Sequence, residues 1–226
     1  MTASLKTIGA FFTLAVMLSC AAAADLGAPL PSSPLPDAAP FFVKLGAAGL
    51  RLSEKADIFL AGAPLAGANI KVKSQYTATV EVGYYVTPNW AVAFTGGLPP
   101  LAKVDAAGSI APYGRLADVR YGPVALTAQY HFTYGALRPY IGAGPAVMLV
   151  VGNHDRVLTN FKMRDAAGFA GQVGADVMVT ERFGLFVDAK KVYLRTSAVG
   201  SFGPAPAKAK VMLDPLILST GVVARF

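Results

Sequence analysis

The segment Lys71–Thr87, which reads KVKSQYTATVEVGYYVT, alternates between apolar and polar residues with a period of two. This is the periodicity of a β-strand with two different faces. One face is almost entirely apolar: Val72, Ser74, Tyr76, Ala78, Val80, Val82, Tyr84 and Val86. The other face is mostly polar: Lys71, Lys73, Gln75, Thr77, Thr79, Glu81, Gly83, Tyr85 and Thr87. In a soluble sandwich the apolar face would form the core, whereas in a membrane barrel it would face lipid.

The composition of the whole chain narrows the choice further. Of 226 residues, 54% are hydrophobic and 15% are charged, and the mean hydropathy is +0.48. A disordered chain is excluded, because such chains are polar and rich in charge. A helical membrane protein is also excluded, because after residue 24 no apolar stretch approaches the roughly 18 residues that a spanning helix needs. The apolar residues are abundant but dispersed, which favours a barrel of alternating strands.

The connections between the strands favour the membrane barrel over a soluble sandwich, and the terminal Phe226 with the apolar outward faces argues against a soluble, lipocalin-like barrel. Strands are predicted near residues 41–52, 70–87, 89–98, 118–132, 138–152, 167–180, 182–196 and 211–226. Three connections are tight and four, at 53–69, 99–117, 153–166 and 197–210, are long. Long and short connections alternate, as in barrels with short periplasmic turns and long outer loops. The sequence therefore predicts an all-β fold, an eight-stranded antiparallel transmembrane β-barrel over residues 41–226 in the outer membrane of a Gram-negative bacterium.

The segment before the barrel is typical of an exported protein. Lys6, the apolar run Ile8–Leu18 and the small residues Ala22–Ala24 predict a signal peptide over residues 1–24. Residues 25–40 contain five prolines and are predicted to be an extended periplasmic linker, because proline lacks the N–H that a strand or helix would use. Cys20 is the only cysteine, so a chain cleaved near Ala24 would contain none.

Aromatic residues are concentrated near the predicted short turns. They are expected to form the inner aromatic girdle of the barrel: Tyr84, Tyr85, Trp90, Tyr130, Phe132, Tyr140, Phe183 and Phe226. The last predicted strand has an apolar outward face and closes on Phe226. A terminal aromatic residue on such a strand predicts recognition by the barrel assembly machinery, with Phe226 as the assembly signal.

The two-residue alternation of the strands also predicts which residues face the lumen. The candidate lumen residues are Glu81, Tyr85, Gln129, His131, Gln172, Asp176, Asp188, Lys190 and Arg225. Inward orientation is expected of the charged members, because a charge facing hydrocarbon at mid-depth costs about 2–4 kcal/mol. An eight-stranded interior is nearly filled by side chains. These residues are therefore either a structural ion-pair plug or a gate with a binding site, and the sequence leaves both open.

Two prolines fall inside or at the outer ends of predicted strands. Pro123 and Pro215 cannot donate a hydrogen bond to a neighbouring strand. They either mark a lateral opening toward lipid or simply terminate regular pairing, and the sequence does not decide between these interpretations.

Several motifs resemble those of one family. Arg138–Gly144, which reads RPYIGAG, resembles the RPYxGAG strand of OmpW-type outer-membrane proteins, and Gly171–Asp176 resembles their GQVGxD strand. Ala128–Phe132 resembles their AQWYF segment, and Leu213–Pro215 with the final Arg225 and Phe226 resembles their LDP…RF ending. The resemblance covers residues 41–226. It implies an eight-stranded barrel with a narrow, partly hydrophobic conduit. Better-known members carry a bulky aromatic residue where this chain has Lys190, so the lumen is expected to be less apolar than theirs.

The resemblance implies a function in passive uptake of small, mainly hydrophobic molecules. The alternative is a non-transporting barrel that acts through its surface loops in envelope integrity or as a receptor. Expected partners are outer-membrane lipid and lipopolysaccharide, the barrel assembly machinery and small hydrophobic solutes. No nucleic acid partner is expected, because the lysines and arginines behind the net charge of +7 are scattered. Neither an enzyme nor a metal or cofactor site is predicted, since catalytic motifs and metal-ligand spacings are not found.

Overall fold

The computed structural model describes residues 40–52 and 54–226. The predicted signal peptide at 1–24 and all of the predicted linker except Pro40 lie outside the described residues. In the described part, no helix is both long and apolar enough to cross a membrane.

The described residues form fourteen β-strands and one short 3₁₀ turn at Ala111–Tyr113. The strands are β1 (Phe41–Arg51), β2 (Glu54–Leu60), β3 (Ala63–Pro64), β4 (Ala68–Val72), β5 (Gln75–Tyr85), β6 (Trp90–Gly97), β7 (Leu101–Gly108), β8 (Arg115–His131), β9 (Leu137–Asp155), β10 (Thr159–Met163), β11 (Ala166–Met178), β12 (Phe183–Phe202), β13 (Ala205–Leu213) and β14 (Leu216–Arg225).

Eight of these strands close into an antiparallel barrel. They pair in the order β1, β5, β6, β8, β9, β11, β12 and β14. The barrel closes where β14 returns to β1, in register from Phe42 opposite Arg225 to Arg51 opposite Leu216. Phe226 completes this seam by exchanging backbone hydrogen bonds with Phe41. The predicted eight-stranded barrel is therefore confirmed.

The predicted long loops are not irregular, and this is a correction to the sequence analysis. They contain β2, β3, β4, β7, β10 and β13, which continue the barrel wall beyond its paired core. The predicted strand at 70–87 is divided, because β4 leaves β5 and pairs with β7. The predicted strand at 211–226 is divided at Asp214 and Pro215. Lys73 lies between β4 and β5 and is exposed, so the polar face of the predicted strand does not continue into the lumen at this residue.

The outer surface of the barrel is apolar, as the alternation in the sequence predicts. The apolar face of the quoted segment points outward, with Tyr76, Val80, Val82 and Tyr84 all exposed. The face that carries Gln75, Glu81 and Tyr85 is buried inside the barrel. In a bilayer, this arrangement places hydrocarbon against apolar side chains and keeps charge in the lumen.

The aromatic girdle forms near the short turns, but two predicted members, Tyr85 and Tyr140, are buried in the lumen. Trp90 lies 5.2 Å from Tyr130 and Tyr130 lies 4.9 Å from Phe132, measured between ring centroids. Tyr140, which was predicted to belong to this girdle, is buried in the lumen instead. It lies on the inward face of β9 because it alternates with the outward-facing Ile141.

Small residues allow large side chains to cross the narrow lumen. Gly83 on β5 lies against the ring of Phe42, and an added methyl group at position 83 would overlap that ring. A methyl group added at Gly171 on β11 would meet no other atom within 4 Å.

Because of this difference, we expect Gly83→Val to lower the free energy of unfolding by about 1–3 kcal/mol through overpacking. Gly171→Val is the matched control and is expected to fold as the wild type does. Urea titrations of the refolded barrels measure both values, and equal stability of the two variants would contradict the packing.

Candidate functional site

The inner half of the lumen is filled by ion pairs centred on Lys44. The Lys44 Nζ lies 2.9 Å from Asp176 Oδ1 and 3.6 Å from Glu81 Oε1. Lys190 approaches Glu81 from the other side, with its Nζ 3.1 Å from Oε2. The Arg225 Nη2 lies 3.8 Å from Asp176 Oδ2. Each of these five side chains is almost completely buried, so they form one network of opposite charges within the barrel.

Neutral polar groups extend this network toward the short turns. Arg225 Nη2 donates to the Tyr85 hydroxyl at 2.8 Å, and that hydroxyl lies 3.3 Å from His131 Nδ1. His131 Nε2 lies 3.0 Å from Gln129 Oε1. Gln129 Nε2 in turn donates to Glu81 Oε1 at 3.2 Å, which returns the chain of hydrogen bonds to the ion pairs. Buried polar groups require such partners to offset the cost of desolvation.

Aromatic rings hold the central cation in place. The Lys44 Nζ lies 3.8 Å from the centroid of the Tyr140 ring, within the range of a cation–π contact. The Tyr140 ring stacks on His131 at 4.8 Å, and its hydroxyl donates to Asp188 Oδ2 at 3.0 Å. The ion pairs are therefore packed against rings, which leaves little open space along the barrel axis.

The space that remains among these groups is small. It is a cavity of about 50 Å³, lined in part by Lys44, Glu81, Asp188 and Lys190. Thr95 closes one side, because its hydroxyl accepts a hydrogen bond from Lys190 Nζ at 2.7 Å and donates one to Glu81 Oε2 at 2.7 Å. A cavity of this size admits water but not an aromatic ring.

A much larger cavity lies in the outer part of the structure. Its volume is about 390 Å³, and its walls come from β2, β4, β7, β8, β10, β12 and β13. The lining is almost entirely apolar and includes Leu52, Ile58, Leu60, Leu65, Ile70, Val72, Ala102, Val104, Ile110, Leu116, Val119, Leu158, Phe161, Met163, Ala198, Val211 and Leu213. Many of these residues lie in the segments 53–69, 99–117, 153–166 and 197–210, which were predicted as loops, and the others lie at the outer ends of predicted strands.

An ion pair between a buried carboxylate and an exposed arginine holds the β9–β10 connection against β8 beside this cavity. Asp118 on β8 is almost fully buried and its Oδ2 lies 2.8 Å from the Arg156 Nη2. Arg156 stands two residues before Leu158, whose backbone N–H donates to the Leu116 carbonyl at 3.1 Å. The connection therefore folds back against β8, and Leu158 takes its place in the apolar wall.

The barrel wall is interrupted beside Pro123. Pairing between β6 and β8 ends at Thr95 opposite Ala125, and pairing between β7 and β8 begins at Leu101 opposite Arg120. In this fully described stretch, no strand pairing joins residues 96–100 to residues 121–124. Three of the facing residues, Pro99, Pro100 and Pro123, have no backbone N–H to donate. The small cavity reaches this interruption, since Gly97, Leu98, Pro123 and Val124 are among its lining residues.

Pro215 occupies a different setting. It is buried between β13 and β14, and its carbonyl accepts a hydrogen bond from the Val192 N–H at 3.0 Å. Lys191 Nζ donates to the neighbouring Asp214 carbonyl at 2.6 Å. The wall on this side is bridged by hydrogen bonds, so the structure gives a lateral opening at Pro215 no support.

The described residues contain no group of three or more histidine, cysteine, aspartate or glutamate side chains placed to hold a metal ion. The lumen network is instead made of paired cations and carboxylates.

Residues 37–226 match the sequence model of the OmpW family. The chain belongs to the OmpW family. An OmpW-family barrel of this kind lies in the outer membrane of a Gram-negative bacterium.

Named relatives and solved structures agree with this assignment to the OmpW family. The chain is 34% identical over 169 residues to the outer membrane protein AlkL of Ectopseudomonas oleovorans, covering 74% of each chain. It is 32% identical over 188 residues to the dibenzothiophene metabolism operon protein PahQ of Pseudomonas aeruginosa, covering 83% of this chain and 89% of that one. The crystal structure of OprG from Pseudomonas aeruginosa is similar with a TM-score of 0.78 at 25% identity, covering 84% of this chain and 96% of OprG. The structure of AlkL in lipid bilayers has a TM-score of 0.70 at 29% identity, covering 89% and 96%.

The structure brings the predicted lumen residues of this OmpW-family chain together. Glu81, Tyr85, Gln129, His131, Gln172, Asp176, Asp188, Lys190 and Arg225 all lie on inward faces of the barrel strands. Whether they act as a plug or as a gate stays a prediction, as does the role of Phe226 in assembly.

The sequence analysis missed several lumen residues, among them Phe42, Lys44, Thr95, Arg138 and Tyr140. Lys44 carried a usable signal, because it is the one charge between Phe41 and Leu50 in an otherwise apolar strand. A single lysine in a predicted membrane strand indicates an inward position, for the same energetic reason that placed Lys190.

Proposed function

We propose that this chain is a conduit for the passive uptake of small apolar molecules across the outer membrane. The observation that carries the proposal is the apolar cavity of about 390 Å³ that lies outward of the ion-pair network. Transfer of apolar surface from water to such a cavity is favourable by about 25 cal/mol per Å². A solute with two or three fused rings or a short alkyl chain would therefore gain by entering.

The ion-pair network limits the route that such a solute can take from the large cavity. Between the large cavity and the network lies a packed apolar layer that includes Leu50, Met148, Val192 and Leu194. Beyond it, the buried charges would have to be separated before an apolar solute could follow the axis, and breaking such pairs is costly. The axial route toward the periplasm is therefore unfavourable for an apolar solute.

The interruption beside Pro123 offers another exit. Ala102, Val119 and Tyr121 line the large cavity and stand at the upper end of the interruption. In the proposed route, solutes enter the cavity from outside and leave sideways between residues 96–100 and 121–124 into the membrane. Hydrocarbon outside the wall then receives the solute without an aqueous step.

The relatives support the same class of solute. PahQ is named for an operon of dibenzothiophene metabolism, and dibenzothiophene is a small, apolar, three-ring compound. This chain covers most of PahQ at 32% identity. A compound of that class is therefore a suitable first substrate for testing the conduit.

A side chain that fills the large cavity should block uptake. Ala102 on β7 is buried and lines the cavity, whereas the preceding Leu101 faces outward. We expect Ala102→Phe to reduce uptake of dibenzothiophene several-fold in cells that produce the barrel, because the ring occupies the space of the solute. Leu101→Phe places the same ring on the opposite face of the strand and should leave uptake unchanged.

Two results would contradict the conduit. Equal uptake by the Ala102→Phe and Leu101→Phe variants, with both barrels folded, would remove the cavity from the route. Equal uptake with and without the wild-type barrel would favour the alternative, a non-transporting barrel that acts through its surface loops.

A further inference from the structure

A group of basic side chains projects from the outer end of the barrel on one side. Its five members, here called the basic grid, lie on or beside β10, β12 and β13: Lys162, Arg164, Arg195, Lys208 and Lys210. All five are exposed. In the described part of the chain, none of them forms an ion pair. Their charges are therefore available to a partner outside the chain.

The upper row of the grid is fixed by pairing to β12. Lys162 on β10 and Lys208 on β13 are both register partners of Val199. They flank β12 from opposite sides, so their Cα atoms are separated by two strand spacings, or about 9–10 Å.

The lower row repeats this arrangement one step nearer the membrane. Lys210 is the register partner of Ser197, and the backbone N–H of Arg164 donates to the Ser197 carbonyl at 3.0 Å. Two residues along a strand span about 7 Å, which is the separation of the two rows. Four cations therefore stand at the corners of a rectangle, and the uncharged Ser197 and Val199 form its floor.

The basic grid lies directly beyond the exposed apolar surface of the barrel, here called the apolar belt. Tyr193 on β12 is exposed and is the register partner of the exposed Phe169. Arg195 follows Tyr193 by two residues on the same outward face, and the two rows lie beyond it. This end of the barrel is opposite the short turns, so it lies at the headgroups of the outer leaflet.

Nearby carboxylates do not neutralise the grid. Asp57 on β2 is the register partner of Lys210 and is exposed without an ion pair to it. Asp165 follows Arg164, but its carboxylate accepts a hydrogen bond from the Val150 N–H at 2.7 Å and is directed to β9. An anionic ligand with more than one negative group would therefore meet a local excess of positive charge.

From this arrangement we infer that the basic grid binds the phosphorylated sugar headgroup of the outer-leaflet glycolipid, lipopolysaccharide. Lysine and arginine side chains form charge-assisted hydrogen bonds with phosphate oxygens. A ligand that carries two phosphates on a disaccharide can contact several of these cations at once, which a single free phosphate cannot do. The acyl chains of the same lipid would lie along the apolar belt below, beside Tyr193 and Phe169. This binding is independent of solute uptake.

The test measures binding of a fluorescent diphosphorylated lipid A to the refolded full-length barrel in zwitterionic detergent. In the test variant Lys162, Arg164, Lys208 and Lys210 are all replaced by Gln. We expect its Kd to rise by about 600-fold, since each of the four basic residues contributes about fivefold near an anionic surface. The matched control replaces four other exposed cations at the outer end by Gln: Arg51, Lys71, Lys103 and Arg120. It loses the same charge and is expected to keep nearly wild-type affinity.

Three results would overturn the inference. Equal weakening in the two quadruple variants would show that only overall charge matters. Equal affinity for lipid A without phosphates would show that phosphate is not recognised. Full competition by millimolar inorganic phosphate would show a site for a single free anion.

Heat-modifiable gel migration verifies that each variant is folded. If the test variant does not fold, the double variant Lys208→Gln/Lys210→Gln takes its place, with Lys71→Gln/Lys103→Gln as its control.

Discussion

A barrel locked by a disulfide between positions 99 and 122 is expected to lose most of its uptake of apolar solutes. A β-carbon at position 122 would lie 3.8 Å from the Pro99 Cβ, which is the mean Cβ separation in disulfides. The Pro99→Cys/Gly122→Cys bond would therefore form across the interruption in the wall with little distortion. It would close the proposed lateral exit and leave the cavity and the ion pairs untouched.

Uptake of dibenzothiophene by cells, before and after treatment with a reductant, measures this effect. Each single cysteine variant, treated in the same way, controls for the substitutions themselves. Cys20 is the only native cysteine and falls in the predicted signal peptide, so no other disulfide is expected to compete. Wild-type uptake through the fully oxidised double variant would show that solutes do not pass between residues 96–100 and 121–124.

Removing the central cation of the lumen is expected to destabilise the barrel more than Gly83→Val does. Lys44 is 1% exposed and stands between Asp176 and Glu81. Lys44→Met keeps most of the side-chain volume but leaves these buried carboxylates short of a counterion. Breaking a buried pair in this way typically costs about 3–5 kcal/mol. Urea titration of the refolded barrel, followed by heat-modifiable gel migration, measures the loss.

Two variants separate the missing charge from other effects. Lys71→Met removes an exposed lysine from β4 and should change the free energy of unfolding little, because exposed charges contribute weakly. Lys44→Met/Asp176→Asn removes one opposite charge as well and should recover part of the stability that Lys44→Met loses. If Lys44→Met unfolds at the wild-type urea concentration, the network does not hold the barrel together.

The alternation in the sequence predicted the barrel because the two sides of its wall meet opposite environments. Residues 75–85 show this clearly, with charge inside and valine or tyrosine outside. The same alternation could not separate membrane strands from their outer extensions. Ile70 and Val72 alternate as Val80 and Val82 do, yet they face a cavity rather than lipid. Local periodicity reports that one face is apolar and does not report what covers it.

The site was predicted in part for a related reason. Glu81, Asp176 and Lys190 stand on strands with strong contrast between the faces, so their inward direction could be read from the sequence. Lys44 was missed because the small residues Gly46–Gly49 give β1 little contrast between its faces, so that the lysine itself was the main signal of direction. Tyr140 was misplaced because an aromatic residue near a turn is compatible with either face.

The position of Lys44 on the first barrel strand also has a consequence for how the chain folds. Its partner Asp176 lies on β11, and Arg225, the other cation on Asp176, lies on the last strand, β14. These three strands surround a common interior only after β14 has paired with β1. While β1 and β14 are unpaired, Lys44 would stay far from Asp176, the carboxylate that it approaches most closely in the closed barrel. Insertion that stops before closure therefore forfeits the short contact between Lys44 and Asp176, and this loss favours completion of the final seam.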